Sequence, residues 1–425
     1  MTLIGLDLNA TRARAIQGEN LGSGPHVPLG LPLEGNEREL LLAVSLEERQ
    51  PRVGRAGAGL CRRSPHLACM DFLPYLGEDR LWTGGRHQLD AATALALVCE
   101  YLQRRIGRAE GVTVALPPYF HEAQAALLAD VAGRARWRLL GSVPSPIAVA
   151  LAAHEHLPWS GQAVVIDLDG YALTLSAVAV REDRVRVLHV HPATRLGRSV
   201  WLSRLLDGAA LRCIRLSRRD PREVAETEQA LFDQLAVVLD SRAGAEPVQL
   251  VLQTPHWYQH LKFTPDELSA LCAPLVQRTL AELHQFLAEV APSISPPRTG
   301  GDMEGVGAVL MTGPAARLPG LAAAVEELIY QPEAEPALEE ESDDFGESLI
   351  ENDMLAARVH VLDEDAVARA AFDLALRQHR GDLPRGHVDC VSIPSSNAKE
   401  RGPTRLPFRG PTDKGSDERP ASAGW

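Results

Sequence analysis

Two aspartates stand where a chain most readily builds a site for an anion or a cation. Asp7 ends the apolar run Leu3-Ile4-Gly5-Leu6, and Asp167 ends Val164-Val165-Ile166. Each is followed by a short polar turn and an alternating run, Arg12 to Gln17 after the first and Ala172 to Ala179 after the second. Such a turn can aim backbone N–H groups at an anion, and a carboxylate at a strand end can hold a cation or its waters. An aspartate after a buried strand is also an ordinary turn former, so the repetition carries more weight than either copy. Other reactive types are dispersed. The six cysteines form no Cys-x-x-Cys pair, which fits a reducing compartment. Cys61, His66 and Cys69 have no second ligand pair at finger or ribbon spacing. Gly54, Gly57 and Gly59 are not followed by Gly-Lys-Ser/Thr, and His154, His156, His189 and His191 have no carboxylate partner at useful spacing.

The elements that must position the two aspartates alternate in type, which implies an α/β fold. Strands are expected at Leu3 to Leu8, Arg12 to Gln17, Gly111 to Leu116, Trp137 to Ser142, Val164 to Leu168, Ala172 to Ala179 and Val306 to Met311. Helices are expected at Ala91 to Arg105, His121 to Arg134, Pro146 to His154, Pro221 to Asp240, Pro265 to Val290 and Gly320 to Ile329. The second half repeats the strand, hairpin and helix inventory of the first, as an internal duplication would. Gln331 to Asp353 is acidic and reads as a mobile surface insertion, and the residues beyond Arg380, rich in Pro, Gly, Ser and charge, read as a disordered tail.

The order of motifs resembles the nucleotide-binding domain of DnaK-type, 70-kDa heat-shock chaperones within the actin-like ATPase superfamily, over roughly Leu3 to Leu376. Val112-Thr113-Val114-Ala115-Leu116-Pro117-Pro118-Tyr119-Phe120-His121-Glu122-Ala123-Gln124 is similar to that family's Val-Pro-Ala-Tyr-Phe-Asn-Asp-Ala-Gln signature. Pro144 to Leu151 stands for its Asn-Glu-Pro-Thr-Ala-Ala-Ala-Leu, Thr194-Arg195-Leu196-Gly197 for its Thr-His-Leu-Gly turn, and Met311 to Leu321 for its adenosine-side loop. Asp365-Ala366-Val367-Ala368 resembles the start of its last helix. The resemblance implies an actin-like ATPase fold, two duplicated ribonuclease-H-like lobes around a nucleotide cleft. Lobe I spans 1–157, lobe II spans 158–380 with the acidic insertion at 331–353, and a tail spans 381–425. It further implies ATP or ADP with Mg²⁺ as cofactor. Asp7, Thr11, Asp167, Gly170, Gly197 and Gly313 are the nucleotide-binding positions, with Asp7 and Asp167 on the metal through water.

The same alignment shows departures at the chemistry. A family glycine and threonine are Asn9 and Ala10 here, and a second such pair is Asp169 and Ala172. The position of the family's catalytic lysine is Leu73, its Asn-Glu-Pro glutamate is Ser145, and a further aspartate is Thr174. Leucine cannot polarise a phosphoryl group, so hydrolysis is expected to be impaired and no catalytic residue is assigned. The charged residues that clamp adenine fall at Asp233, Ala236 and Val237, and Pro314 and Ala315 replace glycines beside Gly313.

At 425 residues, 45% hydrophobic and 23% charged, the chain can bury two lobes. Its net charge of −13 disfavours nucleic acid and anionic membranes. No apolar stretch reaches spanning length, and the amino-terminal run has no basic n-region. The expectation is a cytoplasmic, DnaK-like pseudo-ATPase with protein partners, lacking the family's peptide-binding domain. A slow ATPase switch and an actin-like assembly subunit are the alternatives.

Overall fold

The computed structural model describes residues 2–19, 28–156, 159, 161–181, 184–241, 246–254, 257–290, 306–329 and 358–393. The expected insertion at Gln331 to Asp353 lies outside them, as do residues 394–425 of the expected tail.

Two mixed sheets carry the architecture. In the first, β1 (Thr2–Leu8), β2 (Arg12–Glu19), β3 (Gly111–Leu116) and β4 (Leu139–Pro144) lie in the order β4-β3-β1-β2. β1 runs parallel to β3 and antiparallel to β2. In the second, β5 (Gly161–Leu168), β6 (Leu173–Arg181), β7 (Arg184–Ala193), β8 (Val306–Met311) and β9 (Arg358–Val361) lie in the order β9-β8-β5-β6-β7. β5 again runs parallel to β8 and antiparallel to β6. The duplication expected from the two Asp-ending hairpins is therefore present as topology, with β1 and β5 at equivalent central positions.

Among the described residues, eight longer helices cover the sheets: α1 (Ala91–Ile106), α2 (Glu122–Arg134), α3 (Ser145–His156), α4 (Arg198–Ser217), α5 (Ala225–Asp240), α6 (Pro265–Val290), α7 (Leu321–Ile329) and α8 (Ala366–Arg380). Ile4, Leu6 and Leu8 of β1 join one apolar cluster with α1 and α2, while Val164, Ile166 and Leu168 of β5 join another with α4 to α7. On the opposite faces, Leu3 meets Ala368 and Phe372 of α8, and Ala163 and Val165 meet Ile147 and Ala148 of α3 and Ala371 of α8. The two-residue strand period decides the rest. Asp7 and Asp167 sit on the faces that look onto α3 and α8.

The helix expected from Pro221 starts later. Pro221–Glu223 is a separate 3-10 turn, and α5 begins at Ala225. Helix α4, strand β7 and the hairpin Val248–Gln253 with Tyr258–Phe263 have no counterpart among the expected elements. Arg-rich alternation in β7 and polar positions in the hairpin hid both from apolar periodicity. The ordered chain also continues past Arg380. Gly386–His387 pairs parallel with β4 of the first sheet, and Cys390–Ser392 pairs antiparallel with β7 of the second.

Helix α8 approaches β1 closely because Gly5 has no side chain. A Cβ there would stand 2.1 Å from the Phe372 nitrogen and 2.2 Å from the Ala368 carbonyl oxygen. Gly5→Ala is therefore expected to push α8 off the sheet and destabilise by about 1–3 kcal/mol or more, measured as the loss in chemical denaturation. A loss under about 0.5 kcal/mol, the range of ordinary surface changes, would mean the helix has room to yield.

Candidate functional site

The site forms where the β1–β2 and β5–β6 turns meet, at the carboxyl ends of the central strands, the usual ligand edge of such sheets. Thr11 Oγ1 accepts the Gly170 N–H at 2.5 Å, and the Ala10 N–H donates to Asp169 Oδ2 at 3.1 Å. A side chain at Gly170 would collide with Asp71 Oδ1, 2.8 Å from an added Cβ, and with Thr11 Oγ1. Gly197 is equally constrained, because a Cβ would lie 2.6 Å from Tyr171 backbone atoms. From the next residue, the Arg198 N–H donates to the Asp169 carbonyl at 2.8 Å.

Each backbone N–H of residues 9–12 and 169–172 already has a partner. Asn9 N–H donates to the Arg12 carbonyl, and Asn9 Oδ1 accepts from the Thr11 and Arg12 nitrogens at 3.0 and 3.1 Å. Asp169 N–H donates to the Ala172 carbonyl, and Asp169 Oδ1 accepts from the Tyr171 and Ala172 nitrogens, both at 2.9 Å. Tyr119 completes the arrangement by donating its hydroxyl to Asp169 Oδ2 at 2.5 Å. Burial pushes the Asp169 carboxyl up to about 6, against the pull of the Tyr119, Ala172 and Ala10 bonds. Tyr119 is held well above the usual phenol range by burial and by the Asp169 charge.

Asp7 and Asp167 face one another electrostatically. Burial, reinforced by the Asp167 charge and opposed by Arg14 and Arg12, pushes Asp7 up to about 7. Asp167 Oδ1 accepts from Thr312 Oγ1 at 2.8 Å and from the Leu168 N–H at 2.9 Å, yet burial still raises its pKa. Asp7, Asp167 and Gly313 line a common cavity of about 20 Å³ with Arg14 and Glu364, room for about one water. Of the six positions expected from the resemblance, Asp7, Asp167 and Gly313 line this cavity, while Thr11, Gly170 and Gly197 lie at the contact between the two turns. Gly313 opens the one-turn helix Gly313–Ala316 behind Thr312, at the edge nearest Glu364.

A charged network beside these groups is absent from the expected set. Arg12 Nη1 meets Glu39 Oε2 at 2.7 Å and Asp240 Oδ1 at 3.4 Å, and Arg14 shares the Glu39 carboxylate. Arg198 pairs with Asp240 at 2.8 Å, while Arg317 pairs with Glu364, which also lies 3.5 Å from Arg14. Arg12 and Arg14 are only 2% and 4% exposed, so desolvation demands such pairing. The signal was the Arg12-x-Arg14 spacing itself, two cations on one face of an expected strand. On α5, Ala236 offers only its carbonyl, to Arg198, and Asp233 binds Gln229, while Val237 is exposed.

Two of the histidines without a carboxylate at useful spacing in the sequence gain one in the fold. Glu282 of α6 reaches His191 at 2.8 Å and Glu289 lies 3.8 Å from His189, so both have carboxylate neighbours that are remote in sequence.

In this arrangement the residues do not fit a bound polyphosphate. The donors that would receive it are satisfied by Asp169, Asn9 and Thr11, and Asp71 adds a further carboxylate whose pKa burial raises. Leu73 is 1% exposed and packs in an apolar cluster with Phe72 and Leu76. The chain contains three lysines, Lys262, Lys399 and Lys414. Of these only Lys262 is described, on the distant Tyr258–Phe263 strand. Among the described residues no group of three or more His, Cys, Asp or Glu is arranged to hold a metal ion. No helix among them is long and apolar enough to cross a membrane.

No family model matches the chain. Similar proteins are nevertheless found among curated chaperones. A chaperone protein HscA homolog of Burkholderia thailandensis is 28% identical over 227 residues, 52% of this chain and 34% of that protein. Another, from Acidithiobacillus ferrooxidans, is 24% identical over 293 residues, 66% of this chain and 43% of that protein. Heat shock 70 kDa protein 14 of Mus musculus is 23% identical over 225 residues, 52% of this chain and 42% of that protein. The matches thus span between 34% and 43% of those relatives. The resemblance to the nucleotide-binding domain of 70-kDa heat-shock chaperones holds on overall similarity as well as on motifs.

Proposed function

We propose that the chain is a chaperone-like module of the actin-like ATPase fold whose nucleotide site is degenerate, so that it binds ATP or ADP weakly or not at all and serves by presenting surfaces to protein partners. The sheets at β1 and β5 are then the cores of two lobes, 1–157 and 158–380, with the short strands after α8 joining their edges. The work is done in the cytoplasm. Asp7 and Asp167 are the two Mg²⁺ positions, through water, and Thr11, Gly170, Gly197 and Gly313 outline the nucleotide path. The observation that carries the degenerate reading is Leu73, swallowed by the core where the resemblance places a catalytic lysine. Without a cation there, nothing in the two turns stabilises charge developing on a transferred phosphoryl group. The buried arginines do not replace it, because each is committed to a carboxylate.

The test is calorimetry of the full chain with ATP and ADP in Mg²⁺, together with a phosphate-release assay and the Asp167→Asn variant. Weak or undetectable binding with release no faster than the variant supports the proposal. Mg²⁺-dependent release abolished by Asp167→Asn would overturn it in favour of a slow ATPase switch. Assembly that rises with concentration in light scattering would favour the actin-like subunit instead.

A further inference from the structure

We infer that the Asp169 carboxylate is a built-in occupant of the anion site between the two turns and sets the selectivity of the cleft by excluding di- and triphosphates. This rests on the proposed nucleotide reading of the cleft and deepens it.

The geometry is that of a filled anion cradle. Four donors from three separate chain segments converge on one carboxylate: the Tyr171 and Ala172 nitrogens on Oδ1, and the Ala10 nitrogen and Tyr119 hydroxyl on Oδ2. The first two are local and would occur in any turn begun by aspartate. The other two are not, since they reach 159 and 50 residues away along the chain. They tie the β5–β6 turn to the β1–β2 turn and to the loop after β3, and the Gly170 to Thr11 bond doubles the tie.

An incoming phosphate would need those same N–H groups and would meet a displaced carboxylate at close range. Asp71 Oδ1 would lie 2.8 Å from a Cβ at Gly170, and the Asp71 and Asp167 charges act with that of Asp169 on the Tyr119 hydroxyl. Like charges packed into a poorly hydrated site repel strongly. The roof is also occupied. Tyr171 lies 5.1 Å from Tyr119 and 6.3 Å from Tyr75, ring centre to ring centre.

The experiment titrates the full chain, its Asp169→Gly variant and its Asp169→Asn variant with inorganic pyrophosphate and with ADP, each in Mg²⁺. Asp169→Gly is expected to bind pyrophosphate at least about tenfold more tightly than the parent, because repulsion goes and donors are released. Asp169→Asn should fall between, since an amide oxygen keeps bonds to its own turn without the charge. It also decides the matter should the glycine variant fail to fold. Hydrogen exchange at the Ala10 amide should accelerate in both.

Pyrophosphate affinity in folded variants within about threefold of the parent, well under one power of ten, would overturn the inference, as would unchanged Ala10 exchange. If pyrophosphate binding tightens but ADP binds no better than pyrophosphate, the latch stands and the nucleotide reading falls.

Discussion

Glu39→Leu is expected to destabilise the protein by about 3–5 kcal/mol, the usual consequence of breaking a buried ion pair. Glu39 is the shared anion of Arg12 and Arg14, which are 2% and 4% exposed. Its removal leaves Arg12 with Asp240 at 3.4 Å, and Arg14 with the Glu364 carbonyl at 3.0 Å and its carboxylate at 3.5 Å. None of these replaces a carboxylate in direct contact. The pH dependence points the same way. Burial would raise the Glu39 carboxyl, but Arg12 and Arg14 outweigh it and hold it down to about 2, from an ordinary 4.5. A carboxyl whose folded pKa is depressed contributes stability above its unfolded pKa and loses it as pH falls through the folded one. The native protein should therefore weaken by up to about 3 kcal/mol between pH ~4.5 and pH ~2 through this group. Denaturation midpoints of Glu39→Leu and parent at pH 6 and pH 3 check both statements. A difference below about 1 kcal/mol at pH 6, the scale of a surface pair, would show that the network is solvated.

Asp7→Asn should act in the opposite sense and stabilise the protein at alkaline pH. Asp7 is raised to about 7 from 3.8, with Asp167, Arg14, Arg12 and Glu39 the charged groups around it. The folded state therefore holds the proton more tightly than the unfolded chain. Stability from this group is complete below pH ~3.8 and is lost as pH rises through ~7. Above that the buried charge costs up to about 4 kcal/mol, which asparagine removes without changing side-chain size. The gain is expected in the thermal midpoint at pH 8 and should vanish below pH ~4. Asp169, raised to about 6, adds to the same slope, so stability should peak between the Glu39 and Asp169 transitions. A pH-independent difference between Asp7→Asn and parent would mean that Asp7 is ionised and paired throughout.

Much of the fold was legible because its elements are governed by local patterns. Gly111–Leu116, Pro265–Val290 and Val306–Met311 have the expected bounds, being runs whose apolar spacing suits one period only. The capping box at His121 and Gln124 likewise set the start of α2 from neighbouring residues. Where polar residues occupy a strand for tertiary reasons, the pattern misleads. Arg184–Ala193 alternates arginine, valine and histidine, and its histidines find their partners only in Glu282 and Glu289 of α6. The continuation past Arg380 was hidden for a related reason. Two- and three-residue edge strands have too little periodicity to be read, and they exist because β4 and β7 offer them open edges.

At the site, the sequence by itself determined which residues stand at the strand ends. Asp7 and Asp167 close repeated apolar runs, the strand period turns both to the same side of their sheets, and the substitutions at Leu73, Asn9 and Asp169 are plain in the alignment of motifs. Only the tertiary structure decided what those substitutions do. In the alignment Asp169 is only a carboxylate in place of a family glycine. Folded, it is the acceptor for Ala10 and Tyr119, because the two turns are brought together by α3 and α8 between the sheets. Likewise Arg12, Glu39, Asp240 and Glu364 are spread over more than three hundred residues and form one network only in the folded chain. Spacing along a chain fixes which face a side chain takes; the desolvation that forces buried charges to find each other acts between segments and appears only once they are packed.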